Sequence, residues 1–127
     1  MAFVNQTRPG ALGSKVIIDE AAGASPQQDV FSGSCVLNAV MIDCTEQTTA
    51  DVFLKMDDDI VIVSGATQTK PAYQFYCPAG TTMQYTIPEG IVCNAGLSYY
   101  LSTTSGSELI ASAESPTGAV KVYLVGT

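Results

Sequence analysis

The run Asp57-Asp58-Asp59 is the densest group of carboxylates in the chain. Carboxylate oxygens in a loop are what Ca²⁺ takes as ligands. Successive residues of an extended turn point in different directions, however, and no regular ligand spacing follows, so a solvated turn is the plainer reading. Nothing in the spacing of the acids sets the carboxylate separation a glycosidase needs. The chain has no His, which removes Ser-His-Asp and Cys-His catalysis and His-ligated metal sites. It has no G-x-x-x-x-G-K phosphate loop, and no Trp to stack on a sugar. The expectation is no catalytic residue, no metal ligand set, no cofactor and no enzymatic activity.

Two other residue types have chemistry to offer. The cysteines Cys35, Cys44, Cys77 and Cys93 contain no C-x-x-C spacing, so zinc is poorly supported and small buried hydrophobes are expected. Cys35 and Cys44 cannot pair on one continuous strand, where nine steps of ~3.3 Å separate them by roughly 30 Å. A chain made in a reducing cytoplasm keeps all four as thiols. The six tyrosines could form an adhesive patch; Tyr73 and Tyr85 are expected in the core, with some of the others at an interface.

The elements that must position these groups read as strands. Residues 15–19 make a short strand, and residues 20–28 a loop or linker broken by Gly23 and Pro26. Residues 35–44 suit a central strand, with Val36, Val40 and Ile42 on one face around Asn38, and Leu37, Ala39 and Met41 on the other. In residues 51–56, Val52, Leu54 and Met56 oppose Phe53 and Lys55, and residues 60–63 offer a further short run. Residues 73–77 alternate as well. In residues 82–87, Met83, Tyr85 and Ile87 share one face; the corners Pro78-Ala79-Gly80 and Pro88-Glu89-Gly90 bracket this strand. Residues 91–93, 97–101 and 119–125 complete the set, with loops at 103–106 and 115–118. The expected fold is all-β, a jelly-roll-like β-sandwich of about eight strands without a helix longer than two turns.

The 127 residues make one domain: an extended arm (1–13), a strand and linker (14–34) and the sandwich body (35–127). The net charge of −7 argues against nucleic acid and against anionic membrane. Residues 1–18 carry Arg8 and Lys15 and no acid, whereas residues 19–127 sum to −9. Apolar residues are 46% and charged ones only 13%, which fits either a surface in contact with other protein or a Ser/Thr-rich solvated β surface. No apolar run is long enough to span a bilayer as a helix, and the N-terminus lacks the pattern of a signal peptide.

Residues 42–59 (IDCTEQTTADVFLKMDDD) resemble the I-D-x-T-x-x-T…V-Y-L-K-L-Y-D hairpin of small β-rich virion proteins of tailed bacteriophages. Residues 77–106 resemble the V-P-A-G…Y-x-F-P-E-G-L…G-L block of the same proteins, and AVKVYLV (119–125) their closing strand. The resemblance covers residues 36–125; residues 1–35 match nothing in it, and Cys44, Cys77 and Cys93 depart from its pattern. It implies a sandwich or jelly-roll subunit in which Pro78, Gly80, Pro88, Gly90 and Gly96 are structural turns. It also implies a capsid decoration (cement) protein on the outer head surface of the virion, made in the bacterial cytoplasm. Its partners would be the major capsid protein and sister copies of itself, as a trimer in preference to a dimer. A tail or tail-fibre module for host attachment is the alternative, and a glycan-active enzyme or lectin is the improbable third reading. The arm residues Phe3, Val4, Arg8 and Leu12 are expected at an interface, where the arm would order by pairing with an exposed strand edge.

Overall fold

The computed structural model describes residues 4–7, 15–60, 67–68, 73–103, 108–109 and 115–127. Among these there is no helix. Ten strands follow in order: β1 (Val4–Thr7), β2 (Lys15–Asp19), β3 (Cys35–Asp43), β4 (Val52–Asp58), β5 (Thr67–Gln68), β6 (Tyr73–Cys77), β7 (Thr82–Cys93), β8 (Leu97–Ser102), β9 (Glu108–Leu109) and β10 (Lys121–Gly126). They form a five-stranded sheet β1-β2-β10-β3-β7, a three-stranded sheet β6-β4-β8 and the pair β5-β9. All pairings are antiparallel.

Alternation decides what each sheet buries. Ile17, Val40, Ile42, Val122 and Leu124 point inward from the larger sheet, and Val52, Leu54, Met56, Cys77, Leu97, Tyr99 and Leu101 from the smaller. These side chains form one continuous core, as two apolar sheet faces packed on each other require. Phe31 and Val30, just before β3, join the same core.

Residues 20–28 are more than a linker. Gln27 forms an antiparallel bridge with Tyr99. Backbone bonds also run from Val30 N–H to Leu97 O at 2.9 Å and from Leu101 N–H to Gly23 O at 2.9 Å. Residues 23–30 thus lie along the edge of β8 as an irregular fourth strand. Gly23 and Pro26 forbid a helix here but not an extended path that satisfies an edge.

The corner at Pro88-Glu89-Gly90 does not end its strand. β7 runs from Thr82 to Cys93 against β3, pairing Ala39 with Thr86 and then Leu37 with Ile91. Ile87 to Gly90 bulge out opposite Asn38, whose side-chain amide donates to Ile87 O at 3.3 Å. Pro88 therefore lies inside the strand, where it is tolerated because β7 is an edge strand and the bulge needs no N–H from it. The same irregularity reverses the faces of β3. Leu37 and Cys35 are buried with Val40 and Ile42, and Val36 and Asn38 are only half-buried, against the expected grouping of Val36 with Val40. On the other flank β10 makes the matching adjustment between Val125 and Gly126.

Residues 4–7 of the arm form edge strand β1, which pairs with β2 of the same chain from Val4↔Ile18 to Thr7↔Lys15. For these four residues the strand edge sought by the arm is the chain's own. Phe3, Arg8 and Leu12 lie outside the described residues, as do residues 61–63 of the expected short run and 104–106 of the expected loop.

Candidate interaction surface

The acids that drew attention in sequence are turn clamps. Asp58 accepts backbone N–H bonds from Asn94 and Ala95, each at 2.9 Å, and from Gly96 at 3.3 Å. These donors hold its carboxyl below the usual range, Asn94 foremost. The Asp57-Asp58-Asp59 run thus spends its central carboxylate on the β7–β8 turn, and Asp59 offers its backbone oxygen to the Ser98 hydroxyl at 2.7 Å. Among the described residues no cluster of His, Cys, Asp or Glu could hold a metal ion. At the other end of the sandwich Asp51 accepts from Ala79 N–H and from the Tyr76 hydroxyl, both at 2.9 Å. This pins the corner Pro78-Ala79-Gly80, with Ala79 as the main cause of the lowered Asp51 pKa. Buried Gln47 accepts from Gly118 N–H and donates to Ala50 O, tying the β3–β4 loop to the entry of β10.

The expected turn residues are placed as follows. Gly80 and Gly90 have φ of +72° and +78°, the left-handed region that favours glycine. Gly96 sits against the Asp29 carboxylate, where a Cβ would lie 2.6 Å from Oδ1. Pro78 opens its corner, and its carbonyl accepts from the Thr81 hydroxyl at 2.7 Å.

The tyrosines distribute differently from expectation. Tyr73 and Tyr85 are only half-buried, because they lie on β6 and β7 where the sandwich closes at its margin. Tyr99 and Tyr100 are the fully buried ones. The Tyr99 hydroxyl donates to the Asp19 carboxylate at 2.8 Å, which supplies the polar partner a buried tyrosine needs. Asp19 is itself fully buried on the inward face of β2. Burial raises its pKa, and the Tyr99 bond works against that rise. Sequence reading missed this pair, though Asp at an inward position of K-V-I-I-D was a signal. Tyr100 is buried on the opposite face of β8, with the Lys55 ammonium 5.9 Å from its ring centroid.

The outer face of the five-stranded sheet carries a group of apolar side chains. Val16 and Ile18 from β2, Tyr123 and Val125 from β10, and Ala39 and Met41 from β3 share it, because their register partners alternate with the core residues. Half-buried Met41, Tyr123 and Val125, with Gln84, line a depression of about 180 Å³ over buried Val16 and Ala39. Asp43, Thr82, Thr86 and Lys121 rim the apolar centre. An apolar centre inside a polar rim is the anatomy of a protein-binding patch.

No family model, curated protein or solved structure gave a significant match to the chain.

Proposed function

We propose that the protein is a bacteriophage virion structural protein, a capsid decoration protein that binds the outer head surface and stabilises contacts between major capsid subunits. The observation that carries this reading is the apolar face around Met41 and Tyr123, on a small sandwich in which Asp51 and Asp58 hold turns. Such a face supports binding rather than turnover, and the motif resemblance in residues 42–59 and 77–106 supplies the setting. The strand order supports a jelly roll. With residues 23–30 as a fourth strand, β2-β10-β3-β7 faces residues 23–30-β8-β4-β6, and the chain crosses repeatedly between the two sheets. Sister copies would assemble around the same capsid site.

The test is co-sedimentation of the purified protein with emptied heads of the phage that encodes it, with antibody labelling of virions. The expected result is saturable head binding that Tyr123→Asp weakens at least tenfold while the variant keeps its thermal midpoint. Labelling confined to the tail would replace this reading with the tail-module one. Binding unaffected by Tyr123→Asp would remove the face from it.

A further inference from the structure

The register of the bulged strand brings two distant cysteines together. Cys35 opens β3 and Cys93 closes β7, and they are direct partners in the antiparallel ladder. Both point to the buried side, with Cys35 5% and Cys93 0% exposed. Cα atoms of direct antiparallel partners are about 4.5–5.5 Å apart, inside the roughly 4.4–6.8 Å that a disulfide spans. The β7 bulge creates this match: without the extra residues at 87–90, Cys93 would slide past Cys35.

A depression of about 280 Å³ opens at this end of the sandwich, lined by Ser34, Cys35, Val92, Cys93 and Thr127 among others. The depression brings a small oxidant up to Cys35, the more exposed of the two at 5%, with Cys93 buried directly behind it. Cys35 is therefore the sulfur an oxidant meets first; the neighbouring Cys93 thiol also holds its pKa below the ordinary thiol range. The second cysteine pair, Cys44 and Cys77, provides an internal contrast. It lies at the opposite end, fully buried, and burial pushes the Cys44 thiol strongly up. The Cys77 thiol is occupied with the carbonyls of Ile42 and Thr81, both at 3.5 Å.

We propose that Cys35 and Cys93 form a peroxide-oxidisable dithiol site that closes to a disulfide and staples edge strand β7 to β3. The Cys35 thiolate attacks one oxygen of hydrogen peroxide. An S–O bond forms, the O–O bond breaks, and the departing hydroxide takes up the proton lost by the thiol to leave as water. The Cys93 sulfur then attacks Cys35 Sγ. The S–S bond forms, the S–O bond breaks, and hydroxide leaves with the Cys93 proton as a second water. Two thiols are oxidised and one peroxide is reduced. The site is independent of the virion reading, since it needs only the fold and an oxidant.

The test begins with the full-length protein, fully reduced and freed of reductant. It is exposed to hydrogen peroxide, quenched, denatured, alkylated without reduction and digested for peptide mass mapping. The expected product is a linked peptide pair containing Cys35 and Cys93, appearing while Cys44 and Cys77 are still alkylated. In Cys93→Ser the reaction should stop at a Cys35 sulfenic acid that dimedone traps, whereas the wild-type chain should show at least tenfold less trapping. Alkylation of both Cys35 and Cys93 after peroxide would overturn the proposal. So would a Cys44–Cys77 link that forms first, or equal dimedone labelling of wild type and variant.

Discussion

Replacing Gly90 by Ala tests whether the bulge in β7 is as tightly built as its surroundings imply. Gly90 has φ +78°, and a Cβ there would lie 2.2 Å from Val36 Cγ1 and 3.1 Å from Asn38 Nδ2. Placing an L-residue in the left-handed region costs ~1–2 kcal/mol. Pushing Val36 off its rotamer adds about 0.5–1.5 kcal/mol. Displacing the Asn38 amide from Ile87 O forfeits about 1 kcal/mol. Lower entropy of the unfolded chain returns about 0.4–1 kcal/mol. The net destabilisation is roughly 1.5–4 kcal/mol, centred near 3 kcal/mol. Unfolding entropy near 60 °C is about 2.1 cal/mol/K per residue, so for 127 residues the melting midpoint should fall by about 10 °C. Gly80→Ala is the matched control. Its φ is +72°, but the nearest atom to a new Cβ is Thr48 Cγ2 at 3.9 Å, an ordinary contact. Only the backbone cost remains there, about 1 kcal/mol and about 4 °C. Circular dichroism melts of the three proteins in reducing buffer measure both. If Gly90→Ala loses no more than Gly80→Ala, the close approach of β3 to the bulge does not govern stability and the reasoning is wrong.

Tyr99→Phe should destabilise the protein by about 1.5–3 kcal/mol at neutral pH, because a buried carboxylate loses its hydroxyl donor. The folded pKa of Asp19 is raised, so its ionisation disfavours the folded state as pH rises from the ordinary carboxylate value through the folded one; the Tyr99→Phe deficit should therefore shrink in denaturant titrations near pH 4. Asp58 behaves oppositely. Its folded pKa is lowered, so its contribution is present above the unfolded value and is lost as pH falls through the folded one; Asp58→Asn should flatten the acid limb of a midpoint-against-pH curve below about pH 4. Alkylation of the denatured, unreduced protein taken directly from a reducing cytoplasm should modify all four cysteines, and any disulfide at that stage would contradict their free, buried state.

Period-two alternation in residues 51–56, 73–77, 82–87 and 119–125 is local information. A side chain's face follows from its neighbours in sequence, so strands β4, β6, β10 and the first half of β7, and with them the all-β sandwich, were legible before any coordinates. The corner at Gly80 was legible for the same reason, since turn chemistry is confined to a few adjacent residues. Other features depended on partners far along the chain. The P-E-G segment looks the same in sequence whether it ends a strand or bulges within one, and only the pairing of β7 with β3 on both sides of it decides the matter. That bulge inverts the inward face of residues 35–37, which alternation by itself assigns the other way. It also sets Cys35 opposite Cys93, a pair 58 positions apart in sequence. Residues 23–30 carry no strand pattern of their own, yet they complete an edge because β8 presents unpaired backbone groups beside them. The three aspartates at 57–59 read in sequence as a solvated turn in preference to a cation loop, and neither reading contains the clamp. What chose a turn clamp was the arrival of three backbone N–H groups from residues 94–96, which a one-dimensional string cannot place next to Asp58.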